Sequence, residues 1–163
     1  MTSKSKGGVQ ARSVARLRAV QALYQMDLAG TDLNVVIAAY AAGRLPVEDE
    51  EDEVALAEAD ATFFAEIVRG VVRRQRDIDP VIDEQLAIGW RLVRIESTLR
   101  AILRAAVFEL IERPDVPGRV VINEYINVAH AFFQEEEPKV VNGILDRLAR
   151  RYRPEEFAVK GGV

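Results

Sequence analysis

Val140, Val141, Ile144, Leu145 and Leu148 fall on one face of a helix, and no other stretch constrains the fold as much. A competing signal lies inside it. Asn142-Gly143 between branched apolar residues is the usual mark of a type I′ hairpin turn. Its flanks side with the helix. Pro138 suits the first helical position, where no N–H is needed. Glu135, Glu136 and Glu137 would stand at the positive end of the helix dipole, and Arg147, Arg150 and Arg151 near its negative end. The spacing therefore predicts a helix ending near Tyr152, before Pro154, with Asn142-Gly143 in its interior. Glycine there costs about 1 kcal/mol relative to alanine. The expected reason is close approach of a neighbouring backbone or side chain, with ligand contact as the alternative.

The same period recurs along the chain. A helix is expected from about Gln10 to Ala29, with Leu17, Val20, Leu23, Tyr24 and Leu28 as its stripe. Gly30 ends it, and Thr31 or Asp32 caps a short helix carrying Leu33, Val36, Ile37 and Tyr40 as far as Gly43. Asp60 or Thr62 opens the next, which buries Phe63, Phe64, Ile67, Val68, Val71 and Val72. Asp79-Pro80 reads as an N-cap and first position of a separate short helix to Gly89. Ile95 to Glu112 is the strongest helix, with Ile95, Leu99, Ile102, Leu103, Ala106, Leu110 and Ile111 on one side. After the Asp115–Gly118 turn, Val120 to Phe133 starts like a strand. Its later spacing puts Ile122, Tyr125, Ile126, Ala129 and Phe132 or Phe133 inward as a helix. Trp90 and His130 read as packing or surface residues. No convincing strand pair remains. The fold class is all-α, about seven helices joined by short loops.

A chain of 163 residues fits one domain. Residues 1–9 read as a flexible basic tail, 10–153 as a single all-α domain, and 154–163 as a loose C-terminal tail. No cysteine and one histidine leave no thiol chemistry, no Cys or His-rich metal site and no disulfide framework. No signal peptide is evident, and no run approaches the ~20 apolar residues of a membrane span. A cytoplasmic protein without a cofactor is expected.

The net charge of −4 hides an uneven distribution. Residues 1–30 hold Lys4, Lys6, Arg12, Arg16 and Arg18 against Asp27. Residues 31–62 hold one arginine against nine acids, six of them in the unbroken run Glu48–Glu53. Such a run stays solvated, and the insert near 44–59 is assigned no chemistry. Arg12, Arg16 and Arg18 lie mostly off the apolar stripe and are expected to face water or a partner. None of the phosphate-loop, dinucleotide, nucleophile-elbow or zinc-protease motifs occurs, and His130 has no evident nucleophile. Catalysis is not expected.

Five blocks carry a family resemblance by their order and spacing. They are Ala15–Gln25 (ARLRAVQALYQ), Leu103–Leu110 (LRAAVFEL), Asp115-Val116-Pro117, Val120–Glu124 (VVINE) and Lys139–Arg147 (KVVNGILDR). Over roughly residues 10–150 the chain resembles the NusB family of transcription antitermination proteins. The resemblance implies an all-α fold of two packed helical bundles and no catalysis. It implies binding of boxA in nascent ribosomal RNA transcripts together with NusE, a small-subunit ribosomal protein, within an antitermination complex on RNA polymerase. Some members self-associate, so a homodimer is among the implied partners. Arg12 and Arg16 match the family's basic helix start, and Gln21 and Tyr24 the block that follows. Glu136 stands where many members have Asp, and Lys139 matches their lysine. Arg18 supplements the basic set, because Ser13 and Val14 interrupt the family's consecutive arginines. Asn123, Glu124, Asn142 and Gly143 belong to the shared structural motifs.

The chemistry of these residue types agrees. Arginine and lysine neutralise phosphates, Tyr24 offers a face for an unstacked base, and Glu136 can accept from a base amino group. Two other readings are a protein-interaction adaptor whose RNA contacts come from NusE, and a NusB-like fragment of a ribosomal RNA methyltransferase.

Overall fold

The computed structural model describes residues 2–41, 61–89, 97–134 and 136–158. Among these residues are seven helices and no strand. They are α1 (Thr2–Ala29), α2 (Leu33–Ala41), α3 (Ala61–Gly89), α4 (Ser97–Glu112), α5 (Gly118–Phe132), α6 (Glu137–Tyr152) and the one-turn α7 (Pro154–Phe157). The acidic run Glu48–Glu53, Trp90, and the expected boundaries at Gly43, Asp60 and Ile95 lie outside the described residues. No described helix is long and apolar enough to cross a membrane.

Helix α4 is the element the others share. Every residue from Ala101 to Leu110 is buried, because α1, α3, α5 and α6 all pack against it. A helix enclosed on all sides must be apolar all round or must pair its polar groups. Here Arg104 and Glu109 are the two exceptions, and both are paired. Ala101, Ala105 and Ala106 let neighbours come close, and Gly70 of α3 lies directly against Phe108. A Cβ built there would lie 2.0 Å from Cε1 of Phe108. Gly70, which the apolar pattern does not mark, is therefore a glycine that helix crossing demands. Gly143 is not such a residue. A Cβ on it would meet only Nη1 of Arg147, at 4.0 Å, among the described residues. The expected close packing at Gly143 is not seen there, although its place inside a helix is as expected.

Several boundaries differ from the periodicity. Helix α1 starts at Thr2 rather than near Gln10, so residues 2–9 are helical. Gly30 does end it, at φ 65, its N–H donating to the Met26 carbonyl at 2.9 Å. Asp32 rather than Thr31 caps α2, its carboxylate accepting the Asn34 N–H at 3.0 Å. Helix α3 runs unbroken through Pro80. Asp79 is not an N-cap, because its carboxylate is taken by Arg104 of α4 at 2.8 and 2.9 Å. Interior proline costs roughly 3 kcal/mol. Ile78 and Ile82, both fully buried, hold the helix together on either side of it. Tyr24, Leu28 and Val72, expected inward, are exposed, while Phe133 rather than Phe132 packs on the core. Tyr40 stacks on Phe64 with ring centroids 3.8 Å apart, tying α2 to α3.

The expected loose C-terminus is in part ordered. Arg153, buried between α6 and α7, uses all five of its N–H donors. Nε donates to the Leu110 carbonyl, Nη1 to the Val116 carbonyl and Glu156, and Nη2 to the carbonyls of Glu109 and Arg113. These include the Leu110 carbonyl at the end of α4, which has no backbone donor because the residue four further on is Pro114. Glu156 in turn accepts the Gly118 N–H at 2.7 Å, at the start of α5. A short C-terminal turn thus closes the end of one helix and the start of another.

Candidate nucleic-acid interface

Helix α1 supplies the first set of expected RNA-binding residues, and its burial divides them. It touches α2, α3, α4 and α5, so more than one of its faces is covered. Arg16 and Arg18 are only 3% and 5% exposed, against the expectation that they face water or a partner. Arg16 donates from Nε and Nη2 to both oxygens of Glu109, at 2.9 and 3.0 Å. Its Nη1 lies 3.4 Å from Glu124. Burial works against the Arg16 charge, but the hydrogen bonds and charge of Glu109 outweigh it and raise the pKa further. Glu109 also accepts from the Tyr125 hydroxyl at 2.5 Å. Burial first, then the Glu109 charge, holds that hydroxyl protonated well above its usual range. Three helices are joined through one carboxylate. Arg18 donates to Gln21 at 2.7 Å, and its Nε has no hydrogen-bond partner among the described residues.

Of the expected residues on α1, Arg12, Gln21 and Tyr24 are the ones left accessible. Arg12 and Gln21 are half-buried, and Tyr24 is exposed. The Arg12 guanidinium sits 5.2 Å from the centre of the buried Phe63 ring, beside those of Arg16 at 5.0 Å and Arg113 at 5.1 Å. Such stacking holds a guanidinium in place. Arg113 is occupied by Glu66 and by a two-bond pair with Asp115. Those hydrogen bonds, and behind them the positive charges of Arg113 and Arg12, hold the Asp115 pKa down at about 2.

The second set lies at the start of α6. Glu136 is the N-cap residue, its carbonyl accepting from Lys139 and Val140, and Pro138 takes the second helical position rather than the expected first, still within the turn where no N–H is needed. The Glu136 and Lys139 side chains are exposed and have no side-chain partner among the described residues. Asn142, one turn on, is exposed as well. In the other motif Asn123 is exposed, while Glu124 accepts from Ser13 Oγ at 3.0 and 3.1 Å and ties α5 to α1. Glu124 therefore positions α1, in line with a structural role. The interrupting Ser13 has a function in the fold that spacing alone does not disclose.

Comparison with known proteins assigns the chain. Residues 13–150 match the model of the NusB family. A transcription antitermination protein NusB from Rhodopseudomonas palustris strain TIE-1 is 49% identical over 158 residues, covering 97% of this chain and 90% of that one. Its counterpart from Allorhizobium ampelinum is 54% identical over 142 residues, covering 87% and 88%. Among solved structures, NusB from T. maritima superposes with a TM-score of 0.67 at 29% identity, covering 91% of this chain and 97% of that one. The five sequence blocks, the all-α architecture and these matches agree: the chain belongs to the NusB family.

Proposed function

We propose that the protein is a non-catalytic, RNA-binding transcription antitermination factor of the cytoplasm. With NusE it binds boxA in nascent ribosomal RNA transcripts and promotes processive transcription by RNA polymerase. Family membership over most of the chain carries this reading. The residues assigned to RNA are Arg12, Gln21 and Tyr24 on α1, with Glu136 and Lys139 on α6. Arg16 and Arg18 are assigned to holding α1 in place rather than to phosphates. The match to relatives over about nine-tenths of their length, all bearing the antitermination name, favours this reading over a methyltransferase fragment.

The test is a titration with a short boxA-like RNA, with and without NusE, at two salt concentrations. Binding that weakens with salt, tightens with NusE and is lost on scrambling the RNA supports the proposal. Arg12→Ala, Tyr24→Ala and Lys139→Ala should each weaken it, while Tyr24→Phe, which keeps a stacking face, should not. The burial of Arg16 and Arg18 favours one alternative, an adaptor that binds NusE and leaves RNA to it. That reading wins if the three alanine variants bind the NusE–RNA complex as the wild type does.

A further inference from the structure

Beyond the α1 and α6 sets lies a second basic and aromatic feature, where α5, α6 and α7 meet. Phe157 of α7 has two guanidinium groups against its ring, Arg119 at 5.2 Å and Arg150 at 5.3 Å from the centroid. Sharing one ring keeps the two charges within about 10 Å, roughly a Debye length at 0.1 M salt, so they repel each other. Arg119 is exposed and has no acidic partner among the described residues. Arg150 is 56% exposed and, among the described residues, pairs only with Asp146, one turn away on its own helix, at 3.1 Å. A surface pair of that kind does little to neutralise it.

The ring is held in place from below. It passes so close to Gly118 that a Cβ there would lie 3.1 Å from Cε2. Glu156, next to Phe157, is fixed by the Gly118 N–H and by Arg153. The result is a seated aromatic ring carrying the guanidinium groups of two exposed arginines, of which Arg150 gives its Nε to Asp146. It also adjoins the proposed RNA surface through the turn from Asp115 to Gly118. Arg12 acts on Asp115 at one end of this turn, and Gly118 supports Phe157 at the other.

We propose that Arg119, Arg150 and Phe157 form a second contact for single-stranded RNA, which takes nucleotides flanking the segment held by α1 and α6. Bases stack on the outer guanidinium faces while the arginine edges donate to phosphates, as the planar geometry of arginine permits. An acidic protein segment would use the charge but not the stacked planes, so RNA is the better fit. The inference rests on the RNA-binding reading above.

The experiment compares a short boxA-like RNA with the same RNA lengthened by about ten unstructured nucleotides at either end, the scale of a single-strand site. Both are titrated against the full chain with NusE present. The wild type should bind the longer RNA more tightly. Arg119→Ala with Arg150→Ala should weaken the longer RNA roughly tenfold, leave the short one unchanged, and lower the salt slope by about one. Arg119→Lys with Arg150→Lys keeps charge without planes and should recover the salt slope but not the full affinity. Unchanged thermal melting of these surface variants separates lost contact from lost fold. Equal binding of the longer RNA by wild type and double-alanine variant overturns the proposal. So does recovery of full affinity by the lysine pair together with equal competition by polyglutamate, which would mark a site for acidic protein. Wild type that binds neither RNA overturns the RNA-binding reading itself.

Discussion

Replacing Arg16 by methionine separates two roles for the same residue. If Arg16 served phosphates from an open surface, the change would weaken RNA binding and leave stability alone. Its geometry predicts the reverse order of effects. Arg16 and Glu109 are 3% and 0% exposed and joined by two hydrogen bonds. Removing the guanidinium leaves Glu109 inside α4 with only the Tyr125 hydroxyl as side-chain donor among the described residues. Breaking a buried pair by deleting one partner costs about 3–5 kcal/mol. For a domain whose total stability is about 5–15 kcal/mol, that is a large share. A chain of this size loses about 2–4 °C of Tm per kcal/mol, so the midpoint should fall by roughly 10 °C. Urea denaturation followed by circular dichroism reads the loss directly. The triple variant Arg16→Met, Glu109→Leu, Tyr125→Phe removes the stranded carboxylate and hydroxyl together and should regain most of it. A single variant within about 1 kcal/mol of wild type would refute the assignment of Arg16 to the core.

Gly70→Ala should destabilise by about 3 kcal/mol or more, since the new methyl has no room beside Phe108, whereas Gly143→Ala should be neutral or stabilising by up to about 1 kcal/mol; chemical denaturation of the pair checks both. Arg153→Met should cost about 3–5 kcal/mol by leaving the Leu110 and Val116 carbonyls without a donor among the described residues, and Arg153→Lys, with fewer donors, should recover only part of it. Acid should also weaken the fold in a defined window. Hydrogen bonding to Arg113 lowers the Asp115 pKa to about 2, and although burial opposes it, Arg104 lowers that of Asp79. Because the unfolded chain takes up these protons first, the stabilisation is complete above about pH 4 and fades as pH falls toward 2. Asp115→Asn should flatten that part of a stability–pH profile, and an unchanged slope would count against the Arg113–Asp115 pair.

Apolar spacing alone located most of the helices, because one buried stripe per helix is the rule and a period of 3.6 reports it. It resolved the Asn142-Gly143 conflict, since dipole and proline signals can be summed locally along α6. It misread what depends on partners distant in the chain. Asp79-Pro80 has the local signature of a helix start, and nothing in the neighbouring residues shows that Arg104 claims the carboxylate. Gly70 sits among apolar residues and has no local mark, because its reason is a phenylalanine on another helix. For the candidate site, residue type identified a basic α1 and an exposed polar start of α6. It did not separate Arg12 from Arg16, which share one face of α1 and the Phe63 ring but lie one turn apart, so that only Arg16 is level with the buried Glu109. The Arg119–Phe157–Arg150 cluster was illegible for the same reason, since its members come from three helices.

The arginines of this chain divide by what their planes and donors meet. Arg16, Arg104 and Arg153 point inward, where each satisfies several acceptors from other elements. A lysine could not do this, having a compact charge and no planar fork. Buried ionic groups of this kind add little net stability compared with apolar residues, but they penalise every packing in which their acceptors are elsewhere. Bundles of alanine- and leucine-rich helices are prone to sliding or rotating, because many registers bury similar area. Glu109 can be satisfied only when α1 and α5 both present the right residue. That requirement fixes the rotation of α1, and with it which residues of α1 reach the surface. The exposure of Tyr24 and the placement of Arg12 on Phe63 therefore follow from the buried Arg16. A loss of RNA binding in an Arg16 variant would not by itself show contact. Contact requires the loss to persist when the triple variant has restored the fold.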